Sequence, residues 1–318
     1  MARGTGGPGL DGPRVHQPVL VAEVVEQLAV TPGGVYLDAT VGEGGHALAI
    51  LEAASPSGRV LGIDLDPRSL ARAAERVGWY GAQFIPVQGN YADMLDLAEA
   101  AGLTQVDGVL MDLGFSSRQV EEPGYGFSFR SGELPDMRYD PAAPLTAAHI
   151  VNTYSEEELA RIIYRYGEEP RSRAIARGIV RGRPIGSASQ LADLIVTTLG
   201  PRRERKVHLA TRTFQALRIA VNNELDNLRE GLVAAAQLLA PEGTLVVISY
   251  HSLEDRVVKT YIARESAGCI CPPEVLVCVC GHQPTLGRVS RRVIKPSARE
   301  VQSNPRSRSA RMRVARRL

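Results

Sequence analysis

The sequence lacks any apolar run that approaches the roughly 20 residues needed to cross a bilayer. Its first 14 residues are polar and rich in glycine, without the apolar core of a secretion signal. It also lacks internal repeats, and it has no cysteine outside residues 269–280. These absences exclude a membrane protein and a repeat array, and they predict a soluble, cytoplasmic protein with no membrane partner. We expect residues 1–14 to form a flexible leader.

Charge is unevenly distributed along the chain. The 318 residues have a net charge of +2, whereas residues 288–318 contain eleven basic residues and one acid, Glu300. The other 287 residues therefore sum to −8. A basic end of this kind suits a polyanionic partner, although a solvated terminal tail can have the same composition.

All four cysteines lie within twelve residues, as two Cys-x-Cys pairs separated by six residues: Cys269, Cys271, Cys278 and Cys280. In a cytoplasmic protein this clustering predicts a structural zinc site of four thiolates rather than disulfides. A single residue between ligands is tighter than the usual Cys-x-x-Cys spacing, so reduced thiols without a metal are the alternative. Four thiolates leave no open coordination position, which argues against catalytic zinc.

Short β-rich runs alternate with helical stretches through the first third of the chain. The predicted strands span residues 35–39, 59–64, 82–87 and 106–113. Such alternation is typical of a parallel sheet covered by helices on both faces, which is a doubly wound, Rossmann-like α/β fold. With 44% hydrophobic residues the chain can bury a sizeable core, and its length favours two domains.

The alternation stops between residues 114 and 211. A loop rich in glycine and proline is followed by purely helical periodicity, in which capping boxes beginning at Ser155 and Ser187 mark helix starts. We therefore predict that residues 114–211 form an inserted loop and all-helical domain. The surrounding sheet domain would then be discontinuous, comprising residues 15–113 and 212–318.

The α/β pattern resumes after the helical block. It predicts a long helix around residues 222–239, a strand at 243–249 and a helix from Ser252. Alternating apolar runs near residues 289–294 and 312–315 follow, and this period of two is typical of strands.

The first predicted strand ends at Asp38 and runs through a turn containing Gly42, Gly44 and Gly45 into a helix, as in a nucleotide-cofactor loop. Asp64 ends the second strand, where a carboxylate can accept hydrogen bonds from a ribose diol. The loop also satisfies a loose dinucleotide fingerprint, which is a weak signal. A carboxylate at Asp38 would repel a pyrophosphate but can hold the ammonium of an amino-acid-bearing cofactor. S-adenosylmethionine therefore fits better than NAD.

The fourth predicted strand ends at Asp112, where ligands bind in open α/β sheets. This carboxylate is either a structural cap of the following turn or an acceptor that faces cofactor and substrate. Four aromatic rings follow within fifteen residues, at Phe115, Tyr125, Phe127 and Phe129. They suit stacking on an extruded base, and a hydrophobic plug against the helical insert is the alternative.

Two further polar segments follow the later strands. His251 lies at the end of the fifth strand, where we expect it either to line the substrate pocket or to be structural. Arg306 and Arg308 could contact phosphates, and a solvated surface is equally compatible with their sequence.

Six separated segments together resemble the bacterial 16S rRNA (cytosine-N4-)methyltransferase H family, the MraW type. They span residues 38–46, 112–117, 126–129, 136–138, 249–256 and 304–308. The resemblance extends from about residue 16 to 318. It implies a class I S-adenosylmethionine-dependent methyltransferase sheet with an inserted helical substrate-recognition domain. It also implies methylation of N4 of a decoding-centre cytidine in the 16S rRNA of the small ribosomal subunit.

The resemblance implies cofactor contacts at Gly44, Gly45, His46, Asp64, Tyr91, Asp112 and Gln119. The cytosine amine is a weak nucleophile because its lone pair is delocalised into the ring. An acceptor for its hydrogens would localise that pair, and the candidates are Asp112, the Ser116 hydroxyl and a nearby backbone carbonyl. The cysteine cluster departs from the family pattern, and the sequence is compatible with a homodimer without setting the oligomeric state.

Three other functions would use parts of the same sequence pattern. An NAD-dependent oxidoreductase would use the same glycine loop, and a non-catalytic RNA-binding assembly factor would use the basic end and the aromatic loop. A DNA amino-methyltransferase would end the fourth strand in Asn/Asp-Pro-Pro-Tyr/Phe, which is absent here.

Overall fold

The computed structural model describes residues 18–200, 208–275, 277–289 and 292–318, so the predicted leader lies outside the described residues. Its centre is a seven-stranded sheet with the order β3-β2-β1-β4-β5-β7-β6. The strands are β1 Val35–Asp38, β2 Arg59–Asp64, β3 Phe84–Gln88, β4 Val106–Asp112, β5 Leu239–Ser249, β6 Leu286–Arg288 and β7 Arg311–Arg317. Strands β1 to β5 are parallel, and β7 runs antiparallel to both β5 and β6.

Helices cover the sheet and form a separate block between β4 and β5. They are α1 Val21–Gln27, α2 Gly45–Ala54, α3 Pro67–Val77, α4 Met94–Ala100, α5 Ser117–Glu121, α6 Ala147–Thr153, α7 Glu156–Gly167, α8 Ser172–Arg181, α9 Ala188–Leu199, α10 Thr211–Asn222, α11 Glu224–Leu238, α12 Ser252–Glu265 and α13 Ala298–Ser303. Short 3-10 helices span Gly78–Gln83, Tyr91–Asp93 and Pro305–Ser309. Within the described part of the chain, no helix is long and apolar enough to span a membrane.

The sheet confirms the doubly wound α/β class. Apolar side chains fill both of its faces: one core packs β1, β2 and β4 against α4 and α11, and the other packs the opposite face against α1 and α2. Because the chain winds from β1 toward β3 and then returns to β4, the winding direction changes between β1 and β4. The carboxyl ends of these two neighbouring strands are Asp38 and Asp112, and a crevice opens there.

Most predicted strands have the predicted bounds within one or two residues. Strand β2 matches residue for residue, whereas β5 begins four residues early, at Leu239. Leu239 pairs with Val106 ahead of an irregularity in the register, and regular pairing resumes at Gly108 and Thr244.

The strand predicted near residues 289–294 is wrong as placed. The strand lies just ahead of it, at Leu286–Arg288, where it pairs with the end of β7. Of the predicted run only Ile294 makes a ladder contact, an isolated bridge to Met312. Residues 290 and 291 lie outside the described part of the chain.

Helices α6 to α10 pack around a core of their own. Its buried residues include Ile150, Leu159, Ile163, Ile179, Leu191, Ile195, Phe214 and Leu217. We call this group the helical body. Helix α10, which begins where the predicted insert ends, contributes Phe214 and Leu217 to this core, and the domain boundaries stay a prediction.

The helix starts inside the helical body follow local sequence signals. Ser155 and Glu158 form the predicted capping box of α7, with both reciprocal hydrogen bonds present. Ser187 caps α9 through the N–H of Gln190, but the predicted box there is incomplete. The Gln190 amide oxygen instead accepts the N–H of Gly186.

Candidate active site

The crevice beyond the ends of β1 and β4 is a narrow cavity of about 140 Å³, which we call the first cavity. Its lining includes the predicted residues Gly45, His46, Asp64, Tyr91, Asp112, Ser116 and Gln119. Gly44, also predicted, lies in the same turn but does not line the cavity. Five acidic residues line it, at Glu43, Asp64, Asp112, Glu224 and Glu254. Glu43 and Glu224 are paired with Arg118 and Arg218, and the remaining carboxyl groups favour a cationic ligand over a pyrophosphate.

The glycine turn has the backbone that its sequence requires. Gly42 and Gly44 have φ values of +53° and +76°, in the left-handed region that favours glycine. A Cβ on Gly44 would approach the Ala73 backbone to 3.2 Å, so this glycine lets α3 pack closely against the turn. A Cβ on Gly42 would meet the Thr40 carbonyl oxygen at 3.9 Å, an ordinary contact. The close approach predicted for a ligand is therefore available at Gly42, whereas Gly44 serves the packing of the turn.

Asp64 fastens the turn to the end of β2. Its Oδ2 accepts the N–H of Gly42 and its Oδ1 accepts the N–H of Asp66, each at 2.8 Å. Burial raises the pKa of Asp64 to about 6. The carboxylate thus sits in the cavity with its orientation fixed by the backbone, as contact with a ribose diol requires.

Asp38 is a buried carboxyl group with one unsatisfied oxygen. Its Oδ1 accepts the N–H of Thr40 at 3.3 Å, while Oδ2 has no hydrogen-bond partner among the described residues. Burial raises the pKa of Asp38 to about 7, against the opposing effect of His46. An unpaired buried oxygen is unfavourable, and an ammonium group or ordered water beside it would supply the missing donor.

Asp112 is held at the tip of β4 by groups from three other elements. Its N–H donates to Thr40 Oγ1 at 2.7 Å, and its Oδ1 accepts the hydroxyl hydrogen of Tyr250 at 2.8 Å. Its Oδ2 lies 3.7 Å from Nδ1 of His46, whose Nε2 lies 2.8 Å from the Val19 carbonyl oxygen. The carboxylate therefore has a fixed position at the junction of β1, β4 and β5.

Tyr250 is a site residue that the sequence reasoning missed. It lies inside the segment 249–256, in which the sequence predicts only His251 as a site residue. Burial, and then the negative charge of Asp112, raise the pKa of Tyr250 well above its usual value, so it remains a hydrogen-bond donor. Its position directly after β5, beside the end of β4, was the available signal.

Ser116 and Gln119 form a capping box at the start of α5. The Ser116 hydroxyl accepts the N–H of Gln119 at 3.3 Å, and the Gln119 amide oxygen accepts the N–H of Ser116 at 2.9 Å. The Gln119 amide nitrogen donates to Asp66, which also accepts from the Tyr125 hydroxyl. Both residues thus line the cavity while fixing α5, and Asp66 is a further residue that sequence reasoning missed.

Tyr91 occupies the wall of the first cavity opposite the glycine turn. It packs so closely on α11 that a Cβ on Gly231 would lie 2.6 Å from the tyrosine ring. Burial raises the pKa of Tyr91 far above its usual value. The flat face of a neutral ring in this wall is suited to packing on a planar base.

A larger cavity of about 1020 Å³ adjoins the first one, and we call it the second cavity. Its lining includes five of the six predicted substrate residues, Phe115, Phe127, Phe129, His251 and Arg306. The two cavities share Gly114, Phe115 and Tyr250 in their linings. Arg308 is exposed and does not line either cavity.

Most rings of the aromatic loop, residues 115–129, pack against other parts of the protein instead of facing solvent. Tyr125 and Phe127 are buried in the core of the helical body, and Phe129 stacks on His208 with ring centres 4.5 Å apart. Phe115 is 45% exposed and stacks on Phe127 at 5.8 Å. The alternative of a plug against the helical body therefore describes Tyr125 and Phe127, while Phe115 presents an open face.

A buried ion pair between α10 and α11 supports this junction. Arg218 donates to both carboxylate oxygens of Glu224, at 2.7 and 2.8 Å, and its guanidinium lies 4.7 Å from the ring centre of Phe115. Burial alone would lower the pKa of Arg218, but the charge of Glu224 holds it above its usual range. Sequence reasoning missed this pair, because nothing local marks an arginine as buried.

His251 and Arg306 both have protein partners. The His251 ring caps α12, with Nδ1 accepting the N–H of Glu254 at 3.4 Å and Nε2 lying 3.1 Å from the Glu254 carboxylate. Arg306 forms an exposed ion pair with Glu121 at 2.8 Å.

The four cysteines lie in the loop between α12 and β6, outside the linings of both cavities.

Known sequences resemble this chain over nearly its whole length. A sequence model of the MraW methylase family matches residues 14–318. A protein of Thermomicrobium roseum named ribosomal RNA small subunit methyltransferase H is 52% identical over 306 residues, which cover 95% of this chain and 94% of that protein. A protein of the same name from Dehalococcoides mccartyi is 50% identical over 303 residues, covering 95% of this chain and 86% of that one.

Likeness to solved structures is weaker. An rRNA methylase from Streptococcus thermophilus aligns over 94% of this chain and 93% of its own length, with 10% identity and a TM-score of 0.41. An identity and a TM-score this low do not indicate which reaction the chain catalyses.

Proposed function

This chain belongs to the MraW methylase family, and we propose that this ribosomal RNA methyltransferase modifies the N4 amine of a decoding-centre cytidine in 16S rRNA. The observation that carries the proposal is the junction of the two cavities at Gly114, Phe115 and Tyr250. At this junction Tyr250 holds the Asp112 carboxylate beside a space large enough for a nucleotide. The small ribosomal subunit would present the cytidine, which places the reaction in the cytoplasm.

The residues of the first cavity fit S-adenosylmethionine by their chemistry. Asp64 offers an oriented carboxylate for the ribose, and Tyr91 a flat wall for the adenine. Asp38 does not itself line the cavity, but it directly precedes the lining residues Ala39 and Thr40, and its unpaired buried oxygen is available to the ammonium. When bound, this cofactor supplies a methyl group already activated on a sulfonium. The acidic lining suits its positive charges and disfavours the pyrophosphate of NAD.

Asp112 would act on the substrate amine. Its carboxylate would accept a hydrogen bond from N4, which localises the nitrogen lone pair for attack, and would then take the proton that N4 must lose. Tyr250 keeps the carboxylate oriented through its hydrogen bond to Oδ1. The Ser116 hydroxyl and the carbonyl oxygens of the turn after β4 are the other acceptors within this wall.

Phe115 would hold the base. A cytidine must leave its stack to reach the enzyme, at a cost of a few kcal/mol. The exposed face of Phe115, backed by the Arg218 guanidinium and by Phe127, offers a stacking partner at the cavity junction. We assign Phe127, Phe129 and His251 to the walls of the substrate site.

The basic end of the chain would contact the rRNA backbone. Arg306 and Arg308 lie on the exposed 3-10 helix Pro305–Ser309, and Arg306 reaches the mouth of the second cavity. Exposed guanidinium groups at such a position can bind phosphates, at the expense of the weak surface pair of Arg306 with Glu121. No step of the proposed reaction uses the cysteines or requires the predicted homodimer, so a metal at the cysteines would be structural.

The test is a transfer assay with labelled S-adenosylmethionine and three substrates. These are small ribosomal subunits from a strain that lacks this methyltransferase, naked 16S rRNA, and duplex DNA. We expect N4-methylcytidine in the subunits, identified and mapped by nucleoside mass spectrometry, with little transfer to DNA. A different methylated nucleoside would overturn the N4 assignment. Cofactor binding without transfer to any substrate would favour a non-catalytic RNA-binding role.

A further inference from the structure

We propose that Cys269, Cys271, Cys278 and Cys280 bind one zinc ion, which fixes the loop between α12 and β6. The four Sγ atoms all lie within 4.8 Å of one another. This convergence brings together two pairs from opposite ends of a twelve-residue segment. The proposal is independent of the methyl-transfer reaction.

The spacing of the sulfur atoms matches tetrahedral thiolate coordination. Zinc–sulfur bonds of about 2.3 Å in a regular tetrahedron place neighbouring sulfur atoms about 3.8 Å apart. The Sγ atoms of Cys278 and Cys280 are 3.6 Å apart, and those of Cys280 and Cys269 are 3.9 Å apart. A disulfide requires sulfur atoms separated by about 2.05 Å, and the four cysteines are free thiols.

Backbone N–H groups point at three of these sulfur atoms. Ile270 donates to Cys280, Cys271 donates to Cys269, and Val279 donates to Cys271, each with a nitrogen–sulfur distance of 3.4 Å. Hydrogen bonds to sulfur stabilise the thiolate form that a metal requires. Two of the bonds cross between the cysteine pairs, so they also hold the two arms of the loop in register.

The nearby histidine is not a ligand in this arrangement. Nε2 of His282 lies 3.1 Å from the Arg264 carbonyl oxygen, which ties the loop to the end of α12. Thr285 makes a second attachment there, through its N–H to the Glu265 carbonyl oxygen at 2.9 Å. Four sulfur ligands and no open position describe a structural site.

The described residues of the loop have little apolar packing to stabilise them. Val277 and Val279 expose 73% and 79% of their surface, and Ile270 is also exposed. The cysteine side chains converge while those of Ile270, Val277 and Val279 are exposed. In a short segment of this kind, metal binding supplies the stability that an apolar core provides elsewhere.

The experiment measures metal content and coordination in the tag-free, full-length protein purified under reducing conditions without chelator. Elemental analysis should find about one zinc per chain. Replacement by cobalt should give the sulfur-to-cobalt charge-transfer absorption and the visible bands of a tetrahedral thiolate site. The variant Cys278→Ser should lose the zinc, whereas His282→Ala should retain it.

Protease protection tests the wild-type chain, in case the cysteine variant folds poorly. Removing zinc with a chelator should accelerate cleavage at the exposed Glu274 by a glutamate-specific protease several-fold, and added zinc should restore protection. Three results would each overturn the proposal. They are metal-free protein with four titratable thiols, a chain mass that shows disulfides, and cobalt spectra without sulfur ligands. The last result would indicate binding elsewhere, for example at Glu224, His251 and Glu254, whose ligand atoms also lie within 4.8 Å of one another.

Discussion

The Tyr250 hydroxyl donates a hydrogen bond of 2.8 Å to Oδ1 of Asp112, although the two residues are 138 positions apart in the chain. Asp112 is the last residue of β4 and Tyr250 directly follows the neighbouring parallel strand β5, so the bond joins the ends of those strands at the junction of the two cavities. The carboxylate assigned to the substrate amine is thus oriented by a phenol that stays protonated at neutral pH.

Replacing Asp112 with Asn should reduce methyl transfer by at least about 100-fold, because the amide cannot take the proton that N4 loses. The Asn side chain keeps the size of Asp and can still accept the Tyr250 hydrogen bond. Initial rates with labelled cofactor on small subunits would measure the effect. Unimpaired turnover by this variant, with unchanged cofactor binding, would refute the assigned role.

Replacing Tyr250 with Phe should lower kcat by about 10- to 100-fold, which corresponds to one lost hydrogen bond to a charged group. The dissociation constant for S-adenosylmethionine should change little. The matched control is Tyr261→Phe on α12, since that ring packs beside the sheet core and lines neither cavity. Equal losses in both variants would indicate a general effect on packing.

Cofactor affinity should rise with pH through about 7, because a cationic ligand favours ionised Asp38 and the pKa of this carboxyl is raised to about 7 by burial. The stability of the protein without cofactor should depend on pH in the opposite direction. The carboxyl binds its proton more tightly when folded, so its contribution to folding is greatest at low pH and is lost as pH rises through 7.

Calorimetric titration at pH 6 and pH 8, in buffers of different ionisation enthalpy, would detect the proton released from Asp38. The amino group of the cofactor also titrates in this range, so Asp38→Asn is the control. This variant should bind more weakly at pH 8 and should lose that part of the pH dependence. The same dependence in Asp38→Asn would assign the proton to another group.

Replacing Arg218 with Met should lower the free energy of unfolding by about 3–5 kcal/mol, because it leaves the buried Glu224 carboxylate without its partner. Urea denaturation would measure the change, and the double variant with Glu224→Gln should recover much of it. The exposed pair of Arg229 and Asp226 is the matched control. Arg229→Met should cost less than about 1 kcal/mol.

Replacing Phe115 with Ala should weaken substrate binding by about 1–3 kcal/mol, or roughly 5- to 150-fold in KM for the ribosomal subunit. Its ring is 45% exposed, so thermal stability should fall only slightly. Trp79→Ala removes a ring that is 69% exposed and lines neither cavity. If KM responds equally in both variants, Phe115 is not a specific contact.

The elements and cavity residues that sequence could predict are those marked by local signals. Strand β2 is apolar from Val60 to Ile63 and ends in Asp64, and this carboxylate needs only the strand order to lie beside the glycine turn. The same logic placed Asp112 at the crevice. Both positions follow from where a parallel strand ends, which is a property of the sheet class.

The contacts that sequence could not predict depend on how distant helices meet. The pair of Arg218 and Glu224 requires the chain to turn at Asn223, whose φ of +50° separates α10 from α11. The burial of Phe127 depends on the helical body folding over its loop. Neither Arg218 nor Glu224 differs locally from an exposed residue, so periodicity and composition contain no signal for this pair. For Phe127 the sequence indicated two alternatives and could not decide between them.

The placement of the helical body between β4 and β5 determines when the site can form during synthesis. Strands β1 to β4 and the helical body leave the ribosome before β5, and the body has its own apolar core with which to collapse early. The central β4–β5 pairing has high contact order and closes late. A nascent chain that already has the glycine turn therefore still lacks Tyr250. The crevice is complete only when β5 has paired with β4.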